Sequence, residues 1–212
     1  MPSRASRRWL VCGLLSAWVG LAAARDGHGA EAGGDVAEGY VAELARRIVA
    51  ALSDPTRGEA ERLAEVDRLA QAAFDLDRTA RIALGRYWKA ASPEQQREFV
   101  LLFKDYVLTS YGRRFHAYAD RSFKILGARR DGEHVTVESV VEGGPTPIRL
   151  DWRLAASGAG WRVLDVSVEG VSLLLTYRSE FAAVLGRHDG RVDSLLDELR
   201  RRVTEERARL AT

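Results

Sequence analysis

Apolar positions along the chain recur with two different periods. Up to about residue 118 they fall three and four apart, the spacing of one face of a helix. From 123 to 168 they alternate, the spacing of a half-buried strand. Asp35 caps a predicted helix that runs to about Leu52, with Val41, Leu44 and Ile48 on one side. Ser53-Asp54-Pro55-Thr56 breaks it. Glu59 to Phe74 reads as a second helix, facing inward with Leu63, Val66, Leu69 and Ala73, and Thr79 to Trp88 as a short third. Ser92-Pro93-Glu94-Gln95 is a helix start: Ser92 at the N-cap, Pro93 at the first helical position, and Gln95 completing a capping box. That helix extends to about Tyr118, with Gly112 as a place for a bend or for close approach of another backbone.

The strand pattern follows. Phe123 and Ile125 flank Lys124, and Val135 and Val137 flank Thr136. Ile148, Leu150, Trp152 and Leu154 alternate with Arg149, Asp151 and Arg153, and Trp161 to Val168 is a fourth run. Asp131-Gly132, Gly143-Gly144-Pro145 and Ser157-Gly158 supply the turns, as expected of an antiparallel meander with one face buried. Helices are predicted at Val171–Leu185 and Val192–Val203, and the polar tail Thr204–Thr212 is expected to fray. The fold class is therefore α+β: helices packed on one face of a curved four-stranded antiparallel sheet.

The first residues have their own logic. Arg4, Arg7 and Arg8 precede an apolar run from Trp9 to Ala24 that ends in Ala22-Ala23-Ala24. This is the layout of a secretory signal peptide cleaved near Ala24, and the run is short for a membrane span, which takes about 20 residues. The expected organisation is a signal peptide at 1–24, a flexible Gly- and Ala-rich lead-in at 25–34, one domain at 35–203 and a polar tail at 204–212. Cys12 falls in the leader, so the exported chain has no cysteine and no disulfide or thiolate chemistry. The expected location is the periplasm.

Charge narrows the partners. The whole chain carries 32 Lys and Arg against 30 Asp and Glu, and three of the basic residues leave with the leader. A near-neutral exported chain excludes a binder driven by bulk attraction to nucleic acid. His28, His116, His134 and His188 lack the i+3 or i+4 spacing of a helical metal pair, so no metal site is expected. Gly170-Val171-Ser172 lacks the second glycine of a nucleophile elbow, because Leu174 stands there, and Ser172 reads as a helix cap. Asp165 and Glu169 read as surface or turn hydrogen-bonding groups, and Arg149, Asp151 and Arg153 as one solvated sheet face. No catalytic residue and no cofactor are expected.

The informative feature is apolar. Of 17 aromatic residues, eight lie between Tyr87 and Tyr118: Tyr87, Trp88, Phe99, Phe103, Tyr106, Tyr111, Phe115 and Tyr118. They broaden the apolar stripe of their helix past the usual width, and the helix from Val171 is also apolar over a wide arc. Core packing is the commoner reading of such a pattern. A wall around an apolar ligand gives the same pattern.

Several segments resemble the MlaC family, also called the toluene-tolerance family. They are Leu84-Gly85-Arg86-Tyr87-Trp88-Lys89-Ala90-Ala91-Ser92-Pro93-Glu94-Gln95, then the helix with Phe99, Phe103, Tyr106 and Tyr111, then the strands Pro147–Leu154 and Trp161–Val166. The most specific is Val168-Glu169-Gly170-Val171-Ser172-Leu173 followed by Tyr177-Arg178-Ser179-Glu180-Phe181. The likeness spans about residues 36–200. It implies a periplasmic phospholipid carrier working between an outer-membrane lipoprotein–porin complex and an inner-membrane MCE-type ABC transporter complex, in lipid-asymmetry maintenance. It also implies helices around a sheet that enclose an apolar lipid pocket, with phospholipid as cargo. The expected lipid-binding residues are Tyr87, Phe99, Phe103, Tyr106, Tyr111, Phe115, Trp152, Val171, Leu174 and Tyr177. Three other readings stay open: a carrier of hopanoid or another apolar lipid; an enzyme on a cone-shaped α+β fold using Asp165, Glu169 or His116; and a cargo-free adaptor of the transporter.

Overall fold

The computed structural model describes residues 28–115, 121–158 and 160–210. The expected signal peptide lies outside them. Helix α1 (His28–Leu52) is followed by α2 (Glu59–Ala73), α3 (Leu76–Leu84), a 3-10 turn (Gly85–Lys89) and α4 (Pro93–Phe115). Strands β1 (Ser122–Asp131), β2 (His134–Glu142), β3 (Ile148–Ser157), β4 (Gly160–Val168) and β5 (Val171–Ser172) come next, then α5 (Leu173–Arg187) and α6 (Val192–Leu210). The strands pair in sequence order, each antiparallel to the next.

Local chemistry sets the boundaries. At α4 the Gln95 amide donates to Ser92 Oγ at 3.2 Å and the Ser92 amide donates to Gln95 Oε1 at 2.9 Å, a closed capping box. At α5 the Leu175 amide donates to Ser172 Oγ at 3.0 Å, so Ser172 is a cap as its position suggested. The third helix starts at Leu76, earlier than expected, and gives way to the 3-10 turn at Gly85, and three further features differ from expectation. Helix α1 begins at His28, so most of the expected flexible lead-in is helical. The close approach of Gly34 to β1 supplies a reason: a Cβ there would stand 3.7 Å from Ala128 Cβ. Helix α6 runs to Leu210 instead of ending near Val203. Its expected polar tail carries an i,i+4 ion pair between Arg201 and Glu205 and the Arg207–Asp105 pair at 3.0 Å, which extend the helix.

The third difference is a fifth strand. Val168 faces Val171 across a two-residue hairpin whose central residues, Glu169 (φ 50) and Gly170 (φ 77), both have positive φ. That combination matches the right-handed twist of paired strands and favours Gly in the turn. Glu169 is held there by the neighbouring strand. Its amide donates to Arg149 O at 3.0 Å, and its Oε1 accepts from the Arg149 amide at 2.6 Å.

Register explains the two-sided sheet. Val135 faces Leu154 and Val137 faces Trp152; on β4, Val163 and Val166 continue these rows. These side chains are buried against α1 and α2. The opposite face pairs Thr136 with Arg153 and Glu138 with Asp151, and Glu138 reaches Arg129 at 3.4 Å and Arg149 at 3.8 Å. Arg149 and Arg153 are exposed on it and Asp151 is half-buried, as on the solvated face read from the sequence, while Thr136 is buried.

Candidate binding site between two cores

The buried side chains fall into two clusters. The first joins α3, α4, α5 and α6 through Leu84, Phe99, Phe103, Leu174, Tyr177, Phe181, Leu195 and Leu199. The second joins α1, α2 and the sheet through Val41, Leu52, Val66, Leu69, Val137, Trp152, Leu154 and Val163. Each has a fringe of half-buried apolar side chains. On the first it includes Val100, Leu102, Tyr106 and Val107 of α4; on the second, Phe123, Ile125 and Leu150 of the sheet. Among the described residues Leu173 is the side chain packed against both clusters. The seam between the cores therefore passes at Leu173, where the sheet hands over to α5.

Polar bonds fasten the two bodies at one side of this seam. The Asp75 amide donates to Val163 O at 3.0 Å, and Thr79 Oγ1 donates to Leu164 O at 3.2 Å, tying α3 to β4. Asp165 of β4 accepts from Ser172 Oγ at 2.5 Å and from the Leu174 amide at 3.0 Å. A carboxylate at the first turn of α5 also meets the positive end of the helix dipole. Ser139, fully buried, accepts from Trp152 Nε1 at 2.9 Å and donates to Leu150 O at 3.0 Å, so the Trp152 indole stands in one orientation on the apolar face of the sheet. Phe123 meets it edge-on at 6.2 Å.

The structure divides the ten sequence-expected binding residues. Phe99, Phe103, Leu174 and Tyr177 are buried together in the first cluster, and Tyr87 and Tyr106 pack on its fringe. Phe99 and Phe103 stack at 5.9 Å, Phe103 meets Tyr177 edge-on at 5.7 Å, and Tyr106 meets Tyr177 at 5.7 Å. Trp152 stands apart, in the second cluster. Val171 is 58% exposed on the edge strand β5, so it lies on the surface and not on an interior wall. The reason is strand alternation: in the short β5 its side chain is directed away from the core that α5 then enters. Tyr111 and Phe115 lie outside the described side chains. Sequence reasoning left out Phe181, which contacts the rings of Phe99, Phe103, Tyr106 and Tyr177. Its spacing of four from Tyr177 was the available signal. Leu173 and Ser139 were left out too, and no local pattern distinguishes them.

The candidates for chemistry are placed as follows. Asp165 and Glu169 are engaged with backbone, as above, and His116 lies outside the described residues. His134 sits at a strand end, its imidazole pushed below its ordinary value by burial and by Arg153 and Arg78. Among the described residues no group of three His, Asp or Glu is disposed to hold a metal ion. A separate open cleft of about 300 Å³ is lined by Gln71, Phe74, Asp75, Leu76, Asp77, Lys104, Ser157 and Arg162, with Lys104 and Asp77 paired at 3.1 Å. None of the eight expected binding residues with described side chains lines it. No helix among the described residues is long and apolar enough to cross a membrane.

These features define a small α+β protein in which helices and an antiparallel meander meet over an apolar seam. The chain belongs to the MlaC protein family, whose model matches residues 42–201. A solved structure titled as the phospholipid-binding protein of Ralstonia solanacearum in complex with a phospholipid is 28% identical. It superposes with a TM-score of 0.73, covering 80% of this chain and 98% of that one. The intermembrane phospholipid transport system binding protein MlaC of Haemophilus influenzae is 23% identical over 128 residues, 58% of this chain and 59% of the relative. The toluene tolerance protein ttg2D of Pseudomonas putida is 26% identical over 114 residues, 53% of each. The matched stretches thus span somewhat over half the length of these curated relatives.

Proposed function

We propose that this chain is a periplasmic phospholipid carrier. It takes lipid between an outer-membrane lipoprotein–porin complex and an inner-membrane MCE-type ABC transporter complex, and so maintains the lipid asymmetry of the outer membrane. The observation that carries the reading is the likeness, over 98% of its length, to a protein whose structure holds a phospholipid. The acyl chains enter at the seam between the two cores, beside Leu173 and the half-buried apolar side chains of α4 and the sheet. Phe99, Phe103, Leu174 and Tyr177 form the wall behind, Tyr87 and Tyr106 flank it, and Trp152 lies on the side of the other core.

The physical need is clear. A diacyl lipid has about 30 methylenes, and exposing each to water costs about 0.8 kcal/mol, so about 24 kcal/mol opposes free diffusion between membranes. An apolar pocket removes that barrier without any bond being made or broken. Because pocket and bilayer are nearly equal hosts, direction must come from differential affinity at handover.

The test is transfer of labelled phospholipid from donor vesicles to the purified exported chain and on to acceptor vesicles. Leu173→Trp, which fills the seam, is expected to cut loading about tenfold or more, equivalent to about 1.4 kcal/mol, while unfolding remains cooperative. Transfer that does not depend on the protein, or a Leu173→Trp variant that loads like the parent, would contradict the proposal.

A further inference from the structure

The exposed cations of the helical body fall into two sets. Along α4 and α6 each described cation meets a carboxylate of the chain. Arg97 pairs with Glu94 at 2.8 Å, Lys104 with Asp77 at 3.1 Å, Arg201 with Glu198 at 2.8 Å and Arg207 with Asp105 at 3.0 Å. Arg200 joins Glu98 and Asp197, and Arg202 joins Glu198 and Glu180. The face built by α3, the 3-10 turn and α5 is different. Arg81, Arg86, Lys89, Arg178 and Arg191 are all exposed there. None of them forms an ion pair among the described residues, because the acid of α5, Glu180, is turned toward α6.

Three of these cations, Arg81, Arg86 and Arg178, are held in place. Gly85 (φ 58) lets Arg178 lie against the backbone: a Cβ at Gly85 would stand 3.3 Å from Arg178 Nε. Gly190 (φ 76) admits Tyr87 in the same way, at 3.2 Å. The Arg86 guanidinium lies 4.8 Å from the centre of the Tyr87 ring and donates to its hydroxyl at 2.8 Å. Arg81 lies 5.2 Å over Trp88. Arg86 thus lies on Tyr87 itself, Arg178 on the backbone of Gly85 two residues before it, and Arg191 follows Gly190, which packs on the ring and comes after Asp189 in the same turn. Leu175, 56% exposed, stands one turn before Arg178 on the same face of α5.

We propose that this face is a docking surface for a preformed acidic surface on a partner protein. The proposal rests on the carrier reading, in which the two membrane complexes are the partners. Along α4 and α6 the described cations are neutralised by carboxylates of the chain, whereas the cluster with Arg86 and Arg178 is left uncompensated and keeps long-range attraction for a partner of opposite sign. A fluid anionic bilayer needs only net charge on mobile side chains. Guanidinium groups fixed by aromatic rings and glycines instead lose little freedom on binding and suit carboxylates at fixed positions. Leu175 supplies apolar contact beside them.

The test uses the full exported chain and two variants, Arg86→Glu/Arg178→Glu and the gentler Arg86→Gln/Arg178→Gln, with Arg129→Glu on the solvated sheet face as control. The probes are the detergent-solubilised inner-membrane transporter complex, the solubilised outer-membrane complex, and vesicles of phosphatidylethanolamine and phosphatidylglycerol. The reversal is expected to weaken binding to at least one complex about tenfold or more and to flatten its salt dependence, with the Gln variant intermediate and the control unchanged. Lipid content by native mass spectrometry stays at the parent level. Unchanged binding to both complexes, a parent that binds neither, or a loss seen on the vesicles overturns the inference. A parent that carries no lipid yet binds a complex through Arg86 and Arg178 sinks the carrier reading and leaves the docking face standing.

Discussion

Replacing Phe181 with Ala asks whether the aromatic group on α4 and α5 is packing or cargo wall. Phe181 is 1% exposed. Its ring meets Phe99 edge-on at 5.6 Å and Phe103 edge-on at 6.1 Å, and it stacks on Tyr177 at 6.0 Å. Truncating a buried Phe costs about 3–5 kcal/mol through lost transfer energy and the cavity left behind. Each well-oriented ring pair adds about 0.5–1.5 kcal/mol beyond area. The two overlap, so the expected loss is about 4 kcal/mol. Urea unfolding of lipid-stripped and lipid-loaded protein gives the answer. A ring packed wholly on protein side chains costs the same in both states, because the added stability from bound ligand depends only on its affinity and concentration. A loss below about 1 kcal/mol in the stripped protein, with a larger loss in the loaded one, would refute the reasoning and make Phe181 a cargo contact.

Three further predictions come from polar groups. Asp165→Ala removes the acceptor for Ser172 and for the Leu174 amide; it is expected to destabilise by about 2–3 kcal/mol, because hydrogen bonds to a charged group are the stronger kind. Thermal unfolding followed by circular dichroism checks this, and a change under about 0.5 kcal/mol would remove the capping role. Ser139→Ala strands the Trp152 indole N–H in the interior, for an expected cost of about 1–3 kcal/mol in urea unfolding. An unchanged midpoint would mean that the indole finds another acceptor. Burial raises the Asp67 carboxyl above its ordinary value, with Asp105 adding to the rise against opposing effects from Gln71 and Arg207, and its Oδ1 has no hydrogen-bond partner among the described residues. The native state then holds its proton more tightly than the unfolded chain, so this penalty is full above the raised value and fades as pH falls to the unfolded one. Asp67→Asn is therefore expected to raise the melting temperature at neutral pH, with the gain shrinking on acidification; a gain independent of pH would contradict this origin.

Much of the fold was legible because each signal was local. The capping box at Ser92 and Gln95 needs four residues, and alternation along β2 and β3 needs one strand. Signals that depend on another element were not legible. The helical start of α1 at a Gly-rich stretch rests on contact with β1, which outweighs the cost of glycine in a helix. The end of α6 rests in part on Arg207 reaching Asp105 of α4. The site shows the same limit. Apolar stripes on α4 and α5 were visible, and so was Trp152, but periodicity does not tell which stripe meets which. The structure puts the α4 and α5 rings against each other and Trp152 in the other core. Leu173, where the two cores meet, looks in sequence like any leucine of a helix start.

The central claim is that the apolar seam between the two cores takes up a lipid. Native mass spectrometry of the protein, purified without detergent and followed by fragmentation and extraction of whatever is bound, tests it most directly. The expected spectrum carries a mass increment matching phospholipid, in stoichiometric amount, that is reduced in Leu173→Trp. A spectrum of bare protein, from a chain that also takes up no lipid from vesicles, would contradict the account.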